Sequence, residues 1–345
     1  MTTEPYAAAG SGGHGPAAAG GKASTVVPPE TSTAAAGSEG NPGVVPPADS
    51  TAAAVGLVER YAAAFVSAVP DHPEDDGFFG PASVTWRLAA DLSAPVAGLR
   101  SVLIQALHPL AMAGVDQHSD WRRDPVGRLA ATSTYVATLT YGDRDSASRA
   151  ARRVRMIHEH VRGTDTVTGR SYAAGDPALL LWVHAALVDS VLAAVQLFGT
   201  PPAGSDADAY VGEMAVSAEL LGVPRGIIPD SVAALQAYIT GVRSELRCTP
   251  AAAESMGYML DPAGMGEEIA ELWLDLRDAA LATLPDWARD LYGYPAPQAV
   301  TPDRRTEIRQ TLGVFDAVFM AEPGVLEARQ QLALRMRRAS SGTRG

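Results

Sequence analysis

The sequence predicts an all-α protein: one large helical domain with bundle or globin-like packing, preceded by a disordered N-terminal tail. Three observations carry that prediction. From Thr85 onward, apolar residues recur mostly every three or four positions, the spacing that lines one face of a helix. Asp124-Pro125, Asp176-Pro177 and Thr301-Pro302 each place an N-cap acceptor before a proline suited to the first helical turn. Strand signals are sparse, with no Asn-Gly or Asp-Gly pair between alternating apolar runs.

Taken in order, residues 1–50 hold 9 Gly and 7 Pro, with Ala, Ser and Thr in most other places. Such a segment buries too little apolar surface to offset the entropy of ordering it, so a flexible tail is expected. The helical domain is expected over 51–340. It opens with a helix over 52–69 that carries Val55, Val58, Tyr61, Ala62 and Phe65. A Pro- and Asp-rich stretch from Pro70 to Pro81 interrupts it. Further helices are expected over 95–114, 125–140, 145–162, 177–198, 206–221 and 230–245. The remainder are 250–259, 265–282, 285–292, 301–320 and 323–338.

The helix from Pro177 to Gly199 is apolar on nearly every side, and its 23 residues are long enough to span a bilayer. His184 and Asp189 lie in its middle, and an aspartate there costs roughly 3 kcal/mol on insertion scales. The better reading is the central helix of a large soluble bundle, with no stable membrane insertion. No basic start followed by an apolar run marks a signal peptide, and no twin-arginine signal is present. A cytoplasmic location is expected.

Composition narrows the function. Hydrophobic residues make up 47% and charged residues 19%, enough for a sizeable core. A formal net charge of −12 argues against nucleic acid, which selects a basic face. One cysteine, Cys248, excludes an intramolecular disulfide and a multi-cysteine metal site. His158-Glu159 starts like the zinc-protease motif, but Arg162 stands where its second histidine belongs. A di-iron site needs Glu three residues before His, and the residues before His108, His118, His158 and His184 are Gln105, Val115, Arg155 and Leu181. Phosphate-binding and nucleophile-elbow motifs are absent.

Three groups of residues remain. His184 is the lone polar side chain between Pro177 and Val188, and a buried imidazole costs free energy unless its nitrogens find partners. It is either a satisfied core histidine or a proximal ligand to haem iron. Arg155, His158 and Arg162 share one helix face. They form either a solvated stripe, with Glu159 pairing Arg155 or Arg162, or a polar distal wall or propionate clamp opposite His184. The block from Leu103 to Trp121 contains His108-Pro109 and His118, and reads as helix packing followed by a turn, with pocket lining the lesser alternative.

Four blocks in order resemble the bacterial branch of a known oxygenase family. They are HPLAMAGVDQHSDWRRDPVGRL (His108 to Leu129), VRMIHEHVRGTD (Val154 to Asp165), YAAGDPALLLWVHAALVDSVL (Tyr172 to Leu192) and YVGEMAVSAELLGVP (Tyr210 to Pro224). The family contains rubber oxygenase (latex-clearing protein) and fungal endoplasmic-reticulum-bound oxygenases, and the similarity runs from about Trp86 to Tyr238 and more weakly beyond it. It implies an all-α fold, haem b and oxygen-dependent cleavage of double bonds in apolar polyisoprenoids. Its partners would be dioxygen and an apolar small molecule. By this resemblance His184 is the axial iron ligand, and Arg155 is a polar residue near the haem. Where rubber oxygenase resembles R-x-x-K-T, this chain has Arg155-Met156-Ile157-His158-Glu159, which points away from rubber itself. His158 there is expected to hydrogen-bond oxygen, form a second axial bond, or merely pack. The expectation is a haem-dependent oxygenase, with Arg155 and His158 catalytic and with Asp189 or a backbone carbonyl orienting the His184 ring. The alternatives are a haem or small-ligand carrier or sensor without turnover, and a scaffold without cofactor.

Overall fold

Proline and N-cap chemistry decide where many of these helices begin. A computed structural model describes residues 50–69, 75–260, 267–294 and 300–342. The tail expected over residues 1–50 lies outside the described residues except for Ser50, as does part of the interruption after Pro70. Asp124 accepts the Gly127 amide at 2.8 Å, Asp176 accepts that of Ala178 at 2.9 Å, and Thr301 that of Arg304 at 3.1 Å. Each cap satisfies an amide that the first turn would leave orphaned.

The described chain is all-α apart from one small hairpin. Its fourteen helices are α1 (Ser50–Ala68), α2 (Val84–Ala89), α3 (Ala94–Ala106), α4 (Pro109–His118), α5 (Pro125–Tyr141), α6 (Arg144–His160), α7 (Pro177–Phe198), α8 (Asp206–Leu221), α9 (Val232–Val242), α10 (Pro250–Leu260), α11 (Glu267–Thr283), α12 (Asp286–Tyr292), α13 (Pro302–Ala321) and α14 (Val325–Gly342). Strands β1 (Arg162–Thr164) and β2 (Ser171–Ala173) pair antiparallel, with Gly163 opposite Tyr172.

Two expectations are corrected here. The helix expected over 95–114 is two helices, α3 and α4, bent by 102°. Pro109 lacks an amide hydrogen and pushes the residue before it out of the helical region, so His108 is extended with ψ 113°. The freed Leu107 carbonyl accepts the Arg247 amide at 2.8 Å. The helix expected to reach 162 ends at His160, and the hairpin follows. The hairpin's turn is held by Asp165, whose carboxylate accepts the amides of Val167 at 3.2 Å and Thr168 at 2.8 Å. Gly163 fits because a Cβ there would lie 2.6 Å from the Tyr172 hydroxyl.

The largest core cluster gathers α3, α7 and α11–α13 around Trp182, Phe198, Leu103, Leu107, Ile308 and Leu312. Helix α7 is central to it. α7 is long and apolar enough to cross a membrane, and 61% of its most apolar window is buried inside the protein. Asp189 within it is paired: Arg100 donates to its carboxylate at 2.7 Å and Gln236 at 2.7 Å. Arg100 is buried as well, and also donates to the Ser190 hydroxyl at 2.7 Å and the Thr283 carbonyl at 2.9 Å. A buried ion pair is tolerable when its remaining donors and acceptors are satisfied in this way.

Candidate oxygenase site

Helix α8 organises the site because both α6 and α7 pack against it. Along α8, Tyr210, Met214 and Ser217 follow the four-then-three spacing of a buried stripe, which turns the Ser217 hydroxyl toward α7. His184 on α7 is 8% exposed and lies 3.0 Å from that hydroxyl through its Nδ1. Ser217 donates its own hydrogen to the Met214 carbonyl at 2.7 Å. Its oxygen is therefore left to accept, and Nδ1 of His184 carries the ring hydrogen. Nε2 then presents a lone pair, and it has no hydrogen-bond partner among the described residues. Burial pushes the His184 pKa down to about 4, so the ring is neutral near pH 7.

Arg155 on α6 reaches the same part of α8. Its Nη1 donates to the Leu220 carbonyl at 2.6 Å. Ser217 and Leu220 are three residues apart, about 4.5 Å along the helix axis. The structure thus brings His184 and Arg155 to one turn of α8, from two different helices. His158, three residues after Arg155, is half-buried, and its ring has no hydrogen-bond partner among the described residues. Its pKa is lowered, chiefly by burial and then by the charge of Arg128.

Other expectations for this region change. Asp189, the carboxylate nearest His184 in sequence, does not orient its ring; it is committed to Arg100 and Gln236, and Ser217 orients the ring instead. Glu159 forms no ion pair with Arg155 or Arg162 among the described residues. Arg155 instead bonds Leu220, and Arg162 donates to the Glu159 backbone carbonyl at 2.9 Å. His118 ties α4 to the hairpin: its Nε2–H is shared between the Arg162 carbonyl at 3.0 Å and the Tyr172 oxygen at 3.1 Å. Tyr172 in turn donates to Gln117 at 2.8 Å. His108 is buried beside Trp182, with ring centroids 6.1 Å apart. Glu213 on α8 serves the fold, since its carboxylate accepts the Val84 and Thr85 amides at 3.1 and 2.8 Å and so caps α2.

The family model for the catalytic domain of "ER-bound oxygenase mpaB/B'/Rubber oxygenase" matches residues 86–317, more than half of the chain. The chain belongs to this oxygenase family. The match includes α3 to α8 and therefore the whole turn at which His184 and Arg155 meet. Membership brings with it a catalytic domain for oxygenation, with dioxygen and an organic molecule as reactants. Searches of curated proteins and of solved structures found no match.

Haem is the cofactor that the family resemblance implies, and the donor set can be tested against it. Among the described residues no group of three or more His, Cys, Asp or Glu side chains could hold a bare metal ion. A porphyrin supplies four ligands itself and needs from the protein one neutral imidazole with a free nitrogen. His184 meets that requirement through Nε2, and Ser217 supplies the usual hydrogen bond to the other ring nitrogen. A surface cavity of about 490 Å³ is lined by residues between Arg225 and Tyr238, and another of about 190 Å³ lies over α4 and α10. Neither is lined by His184, Arg155 or His158.

Proposed function

We propose that this oxygenase is haem-dependent and acts with dioxygen on an apolar substrate, isoprenoid in class, in the cytoplasm. The observation that carries the reading is the pairing of Ser217 with Nδ1 of His184, which leaves Nε2 free and the ring neutral. His184 would hold the iron of haem b through that nitrogen. When bound, haem supplies the oxygen chemistry that side chains cannot. The work of this chain's own residues is orientation and charge. Ser217 fixes the tautomer of His184 and keeps the ring from rotating. Arg155, anchored on Leu220, keeps N–H groups that can donate to an anionic oxygen of a bound ligand, and neutral His158 can donate or accept a proton. The apolar residues around His184, among them Leu180, Leu181 and Val188, exclude water from the site.

His158 also favours a second reading. A half-buried neutral ring with no hydrogen-bond partner among the described residues could be a second protein ligand to haem, which would make the protein a carrier or sensor. The absorption spectrum of haem-loaded protein separates the two. An oxygenase should be high-spin and shift its Soret band on adding carbon monoxide or imidazole. A low-spin spectrum that neither ligand shifts supports the carrier. Absence of a Soret band after loading rejects both and leaves the scaffold.

A further inference from the structure

Helix α6 has two unlike faces. Inward, Ala147 and Ala151 are buried, Val154 and His158 are half-buried, and the helix packs on α5 and α8. Outward, Arg149, Arg152, Arg153, Met156, Ile157 and His160 are all exposed, and their three- and four-residue spacing puts them on one side. Met156 is 57% exposed and Ile157 55%, the highest values for large apolar side chains among the described residues. One turn before them, Arg152 and Arg153 make no hydrogen bond or ion pair among the described residues. Asp145 is paired with Arg149, so Glu159 is the one carboxylate of the helix left against Arg152, Arg153 and Arg155. A chain of net charge −12 thus gathers positive charge on one outer helix face and sets its most exposed apolar pair there.

We propose that the outer face of α6 rests on an anionic lipid surface, with Arg152 and Arg153 among the headgroups and Met156 and Ile157 reaching into the interface. Arginines flanking exposed apolar side chains are the composition by which a helix lies on a membrane without crossing it. Nucleic acid would satisfy the arginines but leave Met156 and Ile157 against phosphates. The acidic remainder of the chain does not forbid the contact. At physiological salt, charges farther from the lipid than a Debye length of about 8 Å are largely screened, and the docked face lies within it. The same helix carries Arg155 and His158, so docking sets the candidate site about one helix diameter, roughly 10 Å, from a reservoir of apolar molecules. The apolar-substrate reading gives this contact a purpose, and the face itself is independent of that reading.

Cosedimentation of the full-length protein with lipid vesicles tests the contact. Phosphatidylcholine vesicles with about one-third phosphatidylglycerol should bind the protein, pure phosphatidylcholine should not, and salt of about 0.5 M should release it. Replacing both arginines, Arg152→Gln with Arg153→Gln, should weaken binding about 30-fold, at about fivefold for each basic residue. Met156→Ser with Ile157→Ser should weaken it about tenfold on the same vesicles. All four side chains are exposed, so both variants should keep the wild-type circular dichroism. No binding of wild type to the anionic vesicles, or equal binding to both kinds, overturns the docking whatever the Soret band shows. Binding that the arginine variant retains in full puts the contact on another surface and overturns it as well. If polyglutamate captures the protein where vesicles do not, and the arginine variant escapes that capture, the face belongs to an acidic protein and the lipid proposal falls. Vesicle binding as expected in protein that takes up no haem keeps the docking and rejects the haem reading alone.

Discussion

Ser217 is a small side chain with a specific task, and removing its hydroxyl isolates that task. Ser217→Ala should lower haem affinity roughly 10- to 100-fold, the usual cost of losing a hydrogen bond behind a metal-bound histidine. Retention of haem against apomyoglobin measures it, with circular dichroism to show that α8 is intact. The neutral state of His184 has a consequence for the apoprotein as well. In the unfolded chain a histidine titrates near 6.5, whereas burial holds the folded ring at about 4. Between those values the unfolded chain binds a proton that the folded chain does not. Stability should therefore fall as pH drops from about 6.5 to about 4 and level off below, a loss of about 3 kcal/mol. Urea unfolding of His184→Gln alongside wild type checks this, since the variant should lack that share of the slope.

Within α7, the ion pair of Asp189 and Arg100 explains how a helix so apolar can carry a charge at its centre. Asp189→Ala leaves the Arg100 guanidinium buried without its carboxylate, at a cost of about 3–5 kcal/mol. Chemical denaturation would show it as a lower midpoint at unchanged slope; a shift below about 1 kcal/mol would mean that water reaches Arg100. Helix α7 itself was legible to the residue, because Asp176, Pro177 and Gly199 bound a predominantly apolar run. Helix α8 was equally legible. The break between α3 and α4 was written in Pro109, but the apolar spacing on both sides continues across it and hid the bend. The three-residue strands of the hairpin are too short to show alternation, and the Asp165 turn and the clearance at Gly163 that hold them depend on partners distant in the fold.

At the scale of the whole molecule, α6 and α7 are separate in the chain, and α8 brings them to a common turn. His184 stood out in the sequence because it is polar in an apolar run, and Arg155 because it shares a helix face with His158. Ser217 did not stand out. A serine among alanines carries no signal until its position on the buried stripe of α8 sets it against His184. The proposed haem dependence stands or falls on His184 as the residue that would hold the iron. The most direct measurement is the Soret band of His184→Ala, loaded and washed in parallel with wild type, with circular dichroism recorded on both. Loss of the band with helical content retained is the predicted result; a wild-type Soret spectrum in the variant would contradict it.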